Sequence, residues 1–132
     1  MLIVIDANNG VPIYRQIVEQ LRLQAASGRI PPGADLPSTR ALSQELGINP
    51  MTISKAYVLL EEEGIVTRRP GLPVVVSERS SEAIEREKED HLRAALEPAA
   101  LAARQLGMTM KQALSVFRQA LSQHTVEEES YK

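Results

Sequence analysis

Apolar residues in the first half of the chain recur at the three- and four-residue spacing of a single helix face in three separate stretches. These stretches are residues 12–27, 39–46 and 50–63. Ser38 and Asn49 stand directly before the second and third stretches, and such side chains accept hydrogen bonds from the free N–H groups at a helix start. Pro50 fits the first helical position, where no N–H is needed. The pattern predicts three helices, with Gly47, Ile48 and Asn49 as the turn between the last two.

The third predicted helix has two different faces. Its inward stripe consists of Ile53, Ala56, Tyr57 and Leu60. The opposite face of its first two turns carries Met51, Thr52, Ser54, Lys55 and Val58. Long charged side chains are scarce on this face, whereas a helix that only faces water usually carries many of them. Two short helices joined by a three-residue turn are typical of the helix-turn-helix, whose second helix lies in the DNA major groove.

Three short β-branched segments predict strands. Residues 65–68 and 74–77 flank a connection that contains two prolines and a glycine, so they predict a hairpin with a proline-containing tip. The segment from Leu2 to Ile5 predicts an edge strand at the start of the chain. Three helices followed by a two-stranded hairpin make a winged helix-turn-helix.

The composition changes at Ser80 to residues that favour helices. A first long helix is predicted to end at Gly107 and to kink at Pro98. Thr109 and Gln112 form a capping box for a last helix. In both helices the apolar residues alternate steps of four and three, which suits packing of helix on helix. We expect a helical hairpin with a frayed acidic tail, VEEESYK.

These elements predict an α+β chain that is mainly α, with a winged helix-turn-helix domain in residues 1–79 and a helical hairpin in residues 80–132. The first part holds eight basic and eight acidic side chains, and the second holds seven and nine, which gives a net charge of −2. The net charge therefore supplies no general attraction to phosphate, so DNA binding would depend on where the charges lie.

Composition excludes several other classes of protein. There is no cysteine, and His91 and His124 are far apart, so no structural metal and no cofactor are expected. No run of about twenty apolar residues and no targeting leader is present, which predicts a cytoplasmic protein without contact to a membrane. No nucleophile–base pair, carboxylate dyad or phosphate loop is visible, so an enzyme is not expected.

Several separated motifs resemble one family of regulators. The segment GRIPPGADLPSTRALSQELGINPMTISKAYVLLEEEGIV resembles the DNA-binding domain of GntR-type bacterial transcription regulators. The motifs PIYRQI and NPMTISKAY, together with the short tail, resemble the YtrA subfamily. The likeness covers about residues 8–69. It implies a homodimer that binds an inverted-repeat operator in double-stranded DNA, with the tail as the dimerisation element, and a repressor that often controls an operon encoding an ABC transporter.

The candidate DNA contacts follow from the helix-turn-helix and from this resemblance. They are Ser38, Thr39, Arg40, Asn49, Met51, Thr52, Ser54, Lys55, Arg68, Arg69 and Gly71. Arg40 matches a position that the family uses on DNA, while Asn49 is expected to act more as a cap than as a base reader. Met51 stands where the subfamily usually has asparagine, and it offers apolar contact to a thymine methyl group. The usual glycine-rich wing tip is replaced here by RRPGLPVVV.

The candidate dimer interface is the apolar seam of the two tail helices. It consists of Leu92, Leu96, Ala99, Ala103, Leu106, Leu114, Phe117 and Leu121. Two other functions remain open: a winged-helix module that binds a protein and has no operator of its own, and a tail hairpin that forms a small-molecule site between subunits. The tail of 53 residues is too short for the large ligand-binding domains of other GntR branches, and neither the effector nor the regulated genes follow from the sequence.

Overall fold

The computed structural model describes residues 3–130, and the side chains of residues 3–124. The elements are α1 (Ile13–Ala26), α2 (Thr39–Leu46), α3 (Pro50–Glu62), β1 (Val66–Thr67), β2 (Val75–Val76), α4 (Ser81–Gln105) and α5 (Met110–Ser130). The predicted fold class is confirmed: the chain is mainly helical, and a winged helix-turn-helix precedes a pair of long helices.

Side-chain caps set the geometry of the helix-turn-helix. Ser38 Oγ accepts a hydrogen bond from the Ala41 N–H at 3.0 Å, and Asn49 Oδ1 accepts one from the Met51 N–H at 2.8 Å. Both predicted N-caps are therefore confirmed. Gly47 ends α2 in the left-handed conformation, at φ 66°, which a side chain would disfavour. This glycine allows the chain to reverse within the short turn.

The core of the first part lies between α1 and α3. Its largest fully buried side chains are Tyr57, Ile17, Leu21, Leu42, Ile53, Leu60 and Val76. All four residues predicted for the inward stripe of α3 are fully buried. The Tyr57 hydroxyl donates to the Pro37 carbonyl at 2.7 Å, which joins α3 to the residue before the cap of α2.

The wing is a two-stranded antiparallel hairpin whose second strand also bonds a segment before α2. Val66 pairs with Val76 and Thr67 with Val75 in antiparallel register, as the predicted hairpin requires. On its other side, β2 meets residues 33–36: the Leu36 N–H donates to the Val74 carbonyl at 2.7 Å, and the Val76 N–H donates to the Ala34 carbonyl at 2.9 Å. Val76 faces the core, whereas Val74 and Val75 are half-buried. The three consecutive valines could not show this from their periodicity.

The prediction of an edge strand at the start of the chain is wrong for the described residues from Ile3 onward, while Leu2 lies outside them. Two glutamine side chains of α1 take the place of a neighbouring strand. The Gln20 amide accepts from the Val4 N–H at 2.8 Å and donates to the Val4 carbonyl at 2.6 Å. Buried Gln16 bonds both backbone groups of Asp6 in the same way. The segment is extended, but a side-chain amide satisfies it rather than a sheet.

The chain divides into two compact units, Met1–Lys88 and Glu89–Lys132, and the division falls within α4. The first turns of α4 belong to the first unit, where Arg79 forms an ion pair with Glu87. Ser80 caps the start of this helix by accepting from the Ala83 N–H at 3.1 Å. Pro98 lies inside α4, and its kink stays a prediction.

In the second unit the predicted capping box is confirmed. The Gln112 side chain accepts from the Thr109 N–H at 2.9 Å, and Thr109 Oγ1 accepts from the Gln112 N–H at 3.1 Å. Helix α5 continues to Ser130, into the acidic tail that the sequence predicts to fray. Tyr131 and Lys132 lie outside the described residues.

Candidate nucleic-acid interface

Helix α3 presents one face to the core and the other to solvent. Met51 is 78% exposed, Lys55 is exposed, and Thr52 and Ser54 are half-buried. Val58 extends this face by one further turn. The predicted contact residues of α3 are therefore accessible, and none of them is needed to fill the core. A helix that is held so firmly on one side offers a rigid outer face to a ligand.

The start of α2 supplies a second group of accessible polar side chains. Ser38 is exposed while its oxygen caps the helix, and Thr39 is half-buried. Arg40 is exposed and forms no ion pair with any carboxylate in the described part of the chain. Asn49 is exposed, and its side-chain oxygen serves the cap of α3, in keeping with its predicted role. Arg40 therefore places a positive charge that no carboxylate of the described residues compensates at the first turn of α2.

The two arginines of the wing have different surroundings. Arg68 Nε lies 3.3 Å from Glu61 Oε2, so this guanidinium is paired with an acid at the end of α3. Arg69 makes only a long hydrogen bond, 3.4 Å, to the Pro73 carbonyl. Gly71 at the tip adopts the left-handed conformation with φ 71° and is exposed. Of the two cations, Arg69 is the one that keeps its charge uncompensated.

Three acids, Glu61, Glu62 and Glu63, lie at the end of α3, and two of them pair with arginines. Glu63 receives two hydrogen bonds from Arg22 Nη2, at 2.7 and 2.6 Å, and a third from its Nε at 3.1 Å. Glu61 pairs with Arg68. Two of these acids therefore form surface ion pairs that join the end of α3 to α1 and to the wing.

Some basic residues among the first 79 are neutralised by ion pairs and others are not. This segment has eight basic and eight acidic residues. Of the basic residues, only Arg22, Arg68 and Arg79 form ion pairs within the described part of the chain. The basic residues outside ion pairs are Arg15, Arg29, Arg40, Lys55 and Arg69. Three of them are predicted DNA contacts. A neutral segment can therefore still present local positive charge to phosphate.

One residue near these cations was missed by the sequence interpretation. Tyr14, in the first turn of α1, lies beneath Lys55: the Lys55 Nζ is 3.9 Å from the centroid of the Tyr14 ring. The Arg15 Cζ is 5.7 Å from the same centroid. No pattern within α1 signals this contact, because Tyr14 and Lys55 are far apart in sequence and meet only when α1 packs on α3.

The described residues contain no cluster of three or more histidine, cysteine, aspartate or glutamate residues that would hold a metal ion. Among the described helices, none combines the length and the hydropathy needed to cross a bilayer.

Comparison with known proteins places this arrangement among transcription regulators. The family model described as bacterial regulatory proteins, gntR family, matches residues 13–76. The chain is 40% identical to the transcriptional repressor YtrA of Bacillus subtilis over 79 residues, 60% of this chain and 61% of that protein. It thus spans about three fifths of the length of that curated relative.

Solved structures agree with this assignment. A GntR family transcriptional regulator from Listeria monocytogenes aligns with a TM-score of 0.77 and 28% identity, covering 85% of this chain and 97% of that one. YtrA from Sulfolobus acidocaldarius, a GntR-family transcription factor, aligns with a TM-score of 0.57 and 34% identity, covering 71% of this chain and 99% of that one. These relatives are regulators rather than enzymes. The chain belongs to the GntR family of bacterial regulatory proteins and within it resembles YtrA.

Proposed function

We propose that this chain is a sequence-specific DNA-binding repressor that acts in the cytoplasm as a homodimer on an inverted-repeat operator. Helix α3 enters the major groove, and the two α3 helices of the dimer lie about one DNA turn, roughly 34–36 Å, apart. The observation that carries the proposal is the outer face of α3, which is accessible, rigidly backed by the core and free of acidic side chains through Val58.

The side chains around this face have the chemistry that DNA recognition uses. Arg40 and Lys55 are exposed cations outside ion pairs, and such cations bind phosphate or base edges. Ser38 and Thr39 lie at the start of α2, where hydroxyls and free N–H groups favour an anion. Thr52 and Met51 supply a hydroxyl and an apolar contact in the groove. Arg69 is the wing residue that we expect to reach phosphate.

The tail supports the homodimer. Helix α4 has no buried residue, and in α5 the described apolar side chains of Leu114, Val116, Phe117 and Leu121 are exposed. Because burial of apolar surface is the main force that stabilises helix pairs in water, this unit needs a further surface. A second copy of the same seam, from Leu92 to Leu121, meets that need. A small-molecule site between subunits would be an addition to this interface.

The target that we propose, an operon encoding an ABC transporter, depends on the likeness to the YtrA subfamily alone. The other candidate function is a winged-helix module that binds a protein. In that case the outer face of α3 would not contact DNA. A DNA-binding experiment separates these two functions.

The test measures binding of the purified full chain to DNA from upstream of its own gene, with scrambled DNA of equal length as the control, over a salt series. We expect tight binding to the upstream fragment that survives competitor DNA. Equal, weak and steeply salt-dependent binding to both DNAs would contradict a specific operator in that fragment and would favour the protein-binding module.

Arg40→Ala tests the assignment of one contact. We expect weaker operator binding without unfolding, and the slope of log affinity against log salt should flatten by about 0.9 because one phosphate contact is lost. Arg29→Ala is the matched control, since Arg29 is also outside ion pairs but is not a candidate contact. An Arg40→Ala variant with the slope and affinity of the Arg29→Ala variant would exclude Arg40 from the interface.

A further inference from the structure

We propose that Tyr14 is a positioning residue for DNA binding: its ring holds the Lys55 ammonium at the edge of the recognition helix, ready for a backbone phosphate. This inference depends on the proposed function, because it assigns a role in DNA binding to α1. The observation is the distance of 3.9 Å between the Lys55 Nζ and the centroid of the Tyr14 ring. That distance is well within the range of a cation–π interaction.

The two residues come from elements that the core holds in fixed positions. Tyr14 is half-buried and packs against the hydrophobic core from the first turn of α1. Lys55 stands between fully buried Ile53 and Ala56 on α3. The backbones at both ends of the contact are therefore rigid, and only the flexible lysine side chain has to be ordered by the ring.

An aromatic ring suits this purpose better than a carboxylate would. A glutamate beside Lys55 would order the ammonium but would cancel the charge that attracts DNA. The ring attracts the cation through its quadrupole and carries no net charge, so the full positive charge stays available. The ring also covers one side of the ammonium and leaves other N–H groups free to donate to a phosphate oxygen.

A second cation on the same ring indicates that the ligand is an anion. The Arg15 Cζ is 5.7 Å from the Tyr14 centroid, and neither Arg15 nor Lys55 is in an ion pair within the described part of the chain. Two cations that share one neutral ring repel each other, and an anion between them or beside them relieves that repulsion. Lys55 lies four residues after Met51 on the same outer face of α3. A DNA phosphate at the edge of the major groove is the anion that this position would meet.

A lysine side chain that is ordered before binding loses less conformational freedom when it contacts DNA. Removal of the ring should therefore lower operator affinity about two- to fivefold, which corresponds to an exposed cation–π interaction. The slope of log affinity against log salt should stay unchanged because no charge is removed. Removal of Lys55 itself should flatten that slope by about 0.9.

The experiment is a double-mutant cycle on the full chain, with operator affinity measured over a salt series. Its variants are Tyr14→Leu, Tyr14→Phe, Lys55→Gln and the double variant Tyr14→Leu with Lys55→Gln. We expect Tyr14→Leu to weaken binding, Tyr14→Phe to restore it, and Tyr14→Leu to have no further effect once Lys55 is glutamine. Arg29→Gln is the charge control and should leave the slope as it is in the unmodified protein.

A merely structural Tyr14 would give a different result. Tyr14→Leu would then lower affinity equally with or without Lys55, and that outcome overturns the proposal. So does a Tyr14→Phe variant as weak as Tyr14→Leu. If the unmodified protein fails to distinguish its operator from scrambled DNA, the proposed function fails first. If the unmodified protein binds its operator specifically and the Tyr14 variants give either of these two results, only the role of the ring is contradicted.

A measurement on the free protein keeps the proposal testable if Tyr14→Leu fails to fold. The protons on the carbon next to the Lys55 ammonium should show an upfield ring-current shift in the NMR spectrum of the unmodified protein. Tyr14→Phe should preserve this shift. Its absence from the unmodified protein would overturn the proposal without recourse to any variant.

Discussion

Tyr57 has two structural roles, and its spacing in the sequence predicts only one of them. Its place on the inward stripe of α3 predicts burial, and the structure buries it completely. Its hydroxyl also donates to the Pro37 carbonyl, which sets the start of α2 against α3. Burial raises the pKa of Tyr57 to about 12, since the phenolate would lose its hydration. This shift links the stability of the domain to pH in the alkaline range.

The sign of this link follows from the raised pKa. The folded state holds the phenol proton more tightly than the unfolded state does, so the stabilisation is complete below pH 10 and is lost as the pH rises from 10 toward 12. Tyr57→Phe should be less stable at pH 7 by about 1–3 kcal/mol, because the Pro37 carbonyl loses its donor. The difference in free energy of unfolding should then shrink above pH 10, by up to about 1.4 kcal/mol per pH unit.

Urea unfolding of both proteins at pH 7, 9, 10.5 and 11.5 checks this expectation. The two proteins differ only at residue 57, so contributions from the remainder of the chain cancel in the difference. A difference that stays constant over the whole range would mean that Tyr57 does not titrate differently in the folded and unfolded states.

At the level of elements, an ion pair links the end of α3 to the wing. The prolines of the connection restrict its tip, and β2 is paired on both sides, with β1 and with residues 33–36. Glu61 of α3 holds Arg68 at 3.3 Å. Both side chains are more than two fifths exposed, so the pair adds little to stability. Its larger effect should be on DNA, because Glu61 competes with phosphate for Arg68.

Glu61→Gln should therefore strengthen binding to non-specific DNA and steepen the salt dependence by up to about 0.9, as Arg68 becomes free to contact phosphate. Glu62→Gln is the matched control: it removes the same charge from the neighbouring position, and Glu62 has no ion pair within the described residues. The measurement is fluorescence anisotropy with scrambled duplex DNA, accompanied by thermal melts. Equal effects of the two variants would show that only net charge matters and that Arg68 is not restrained by Glu61.

At the scale of the whole molecule, the second unit exposes a series of large apolar side chains. Leu106, Met110, Leu114, Phe117 and Leu121 are all exposed. Surface of this kind, repeated at four- and three-residue steps, favours packing against another helix pair. The sequence predicts this alternating seam, most of whose residues are exposed while Leu96 and Ala103 are half-buried. This exposure supports the proposal that a second copy of the chain covers the seam.

Leu114→Glu should turn the proposed homodimer into a monomer, because it places a charge on the proposed interface. Leu23→Glu is the matched control, since Leu23 in α1 is 51% exposed and Leu114 is 53% exposed. Sedimentation at micromolar concentration gives the mass of each variant, and operator binding of the Leu114→Glu variant should weaken as the second half-site contact is lost. A Leu114→Glu protein that stays dimeric, or an unmodified protein that is monomeric, would contradict the proposed interface.

Local features of this fold follow from residues that are close together in the sequence. The helix starts at Ser38 and Asn49, the turn at Gly47 and the capping box at Thr109 were all predicted, since each depends on residues within a few positions of one another. The apolar stripe of α3 was predicted for the same reason, because it depends only on spacing within one helix. Such features need no knowledge of the remainder of the chain.

Contacts between residues that are distant in sequence could not be predicted and are visible only in the folded chain. Gln16 and Gln20 bond the backbones of Asp6 and Val4 in place of a neighbouring strand, because a side-chain amide bonds a backbone as another strand would. The pairing of β2 with residues 33–36 and the Tyr14–Lys55 contact also join residues that are far apart in sequence. Packing of α1 on α3 brings Tyr14 and Lys55 within reach, and no spacing along the chain encodes that distance.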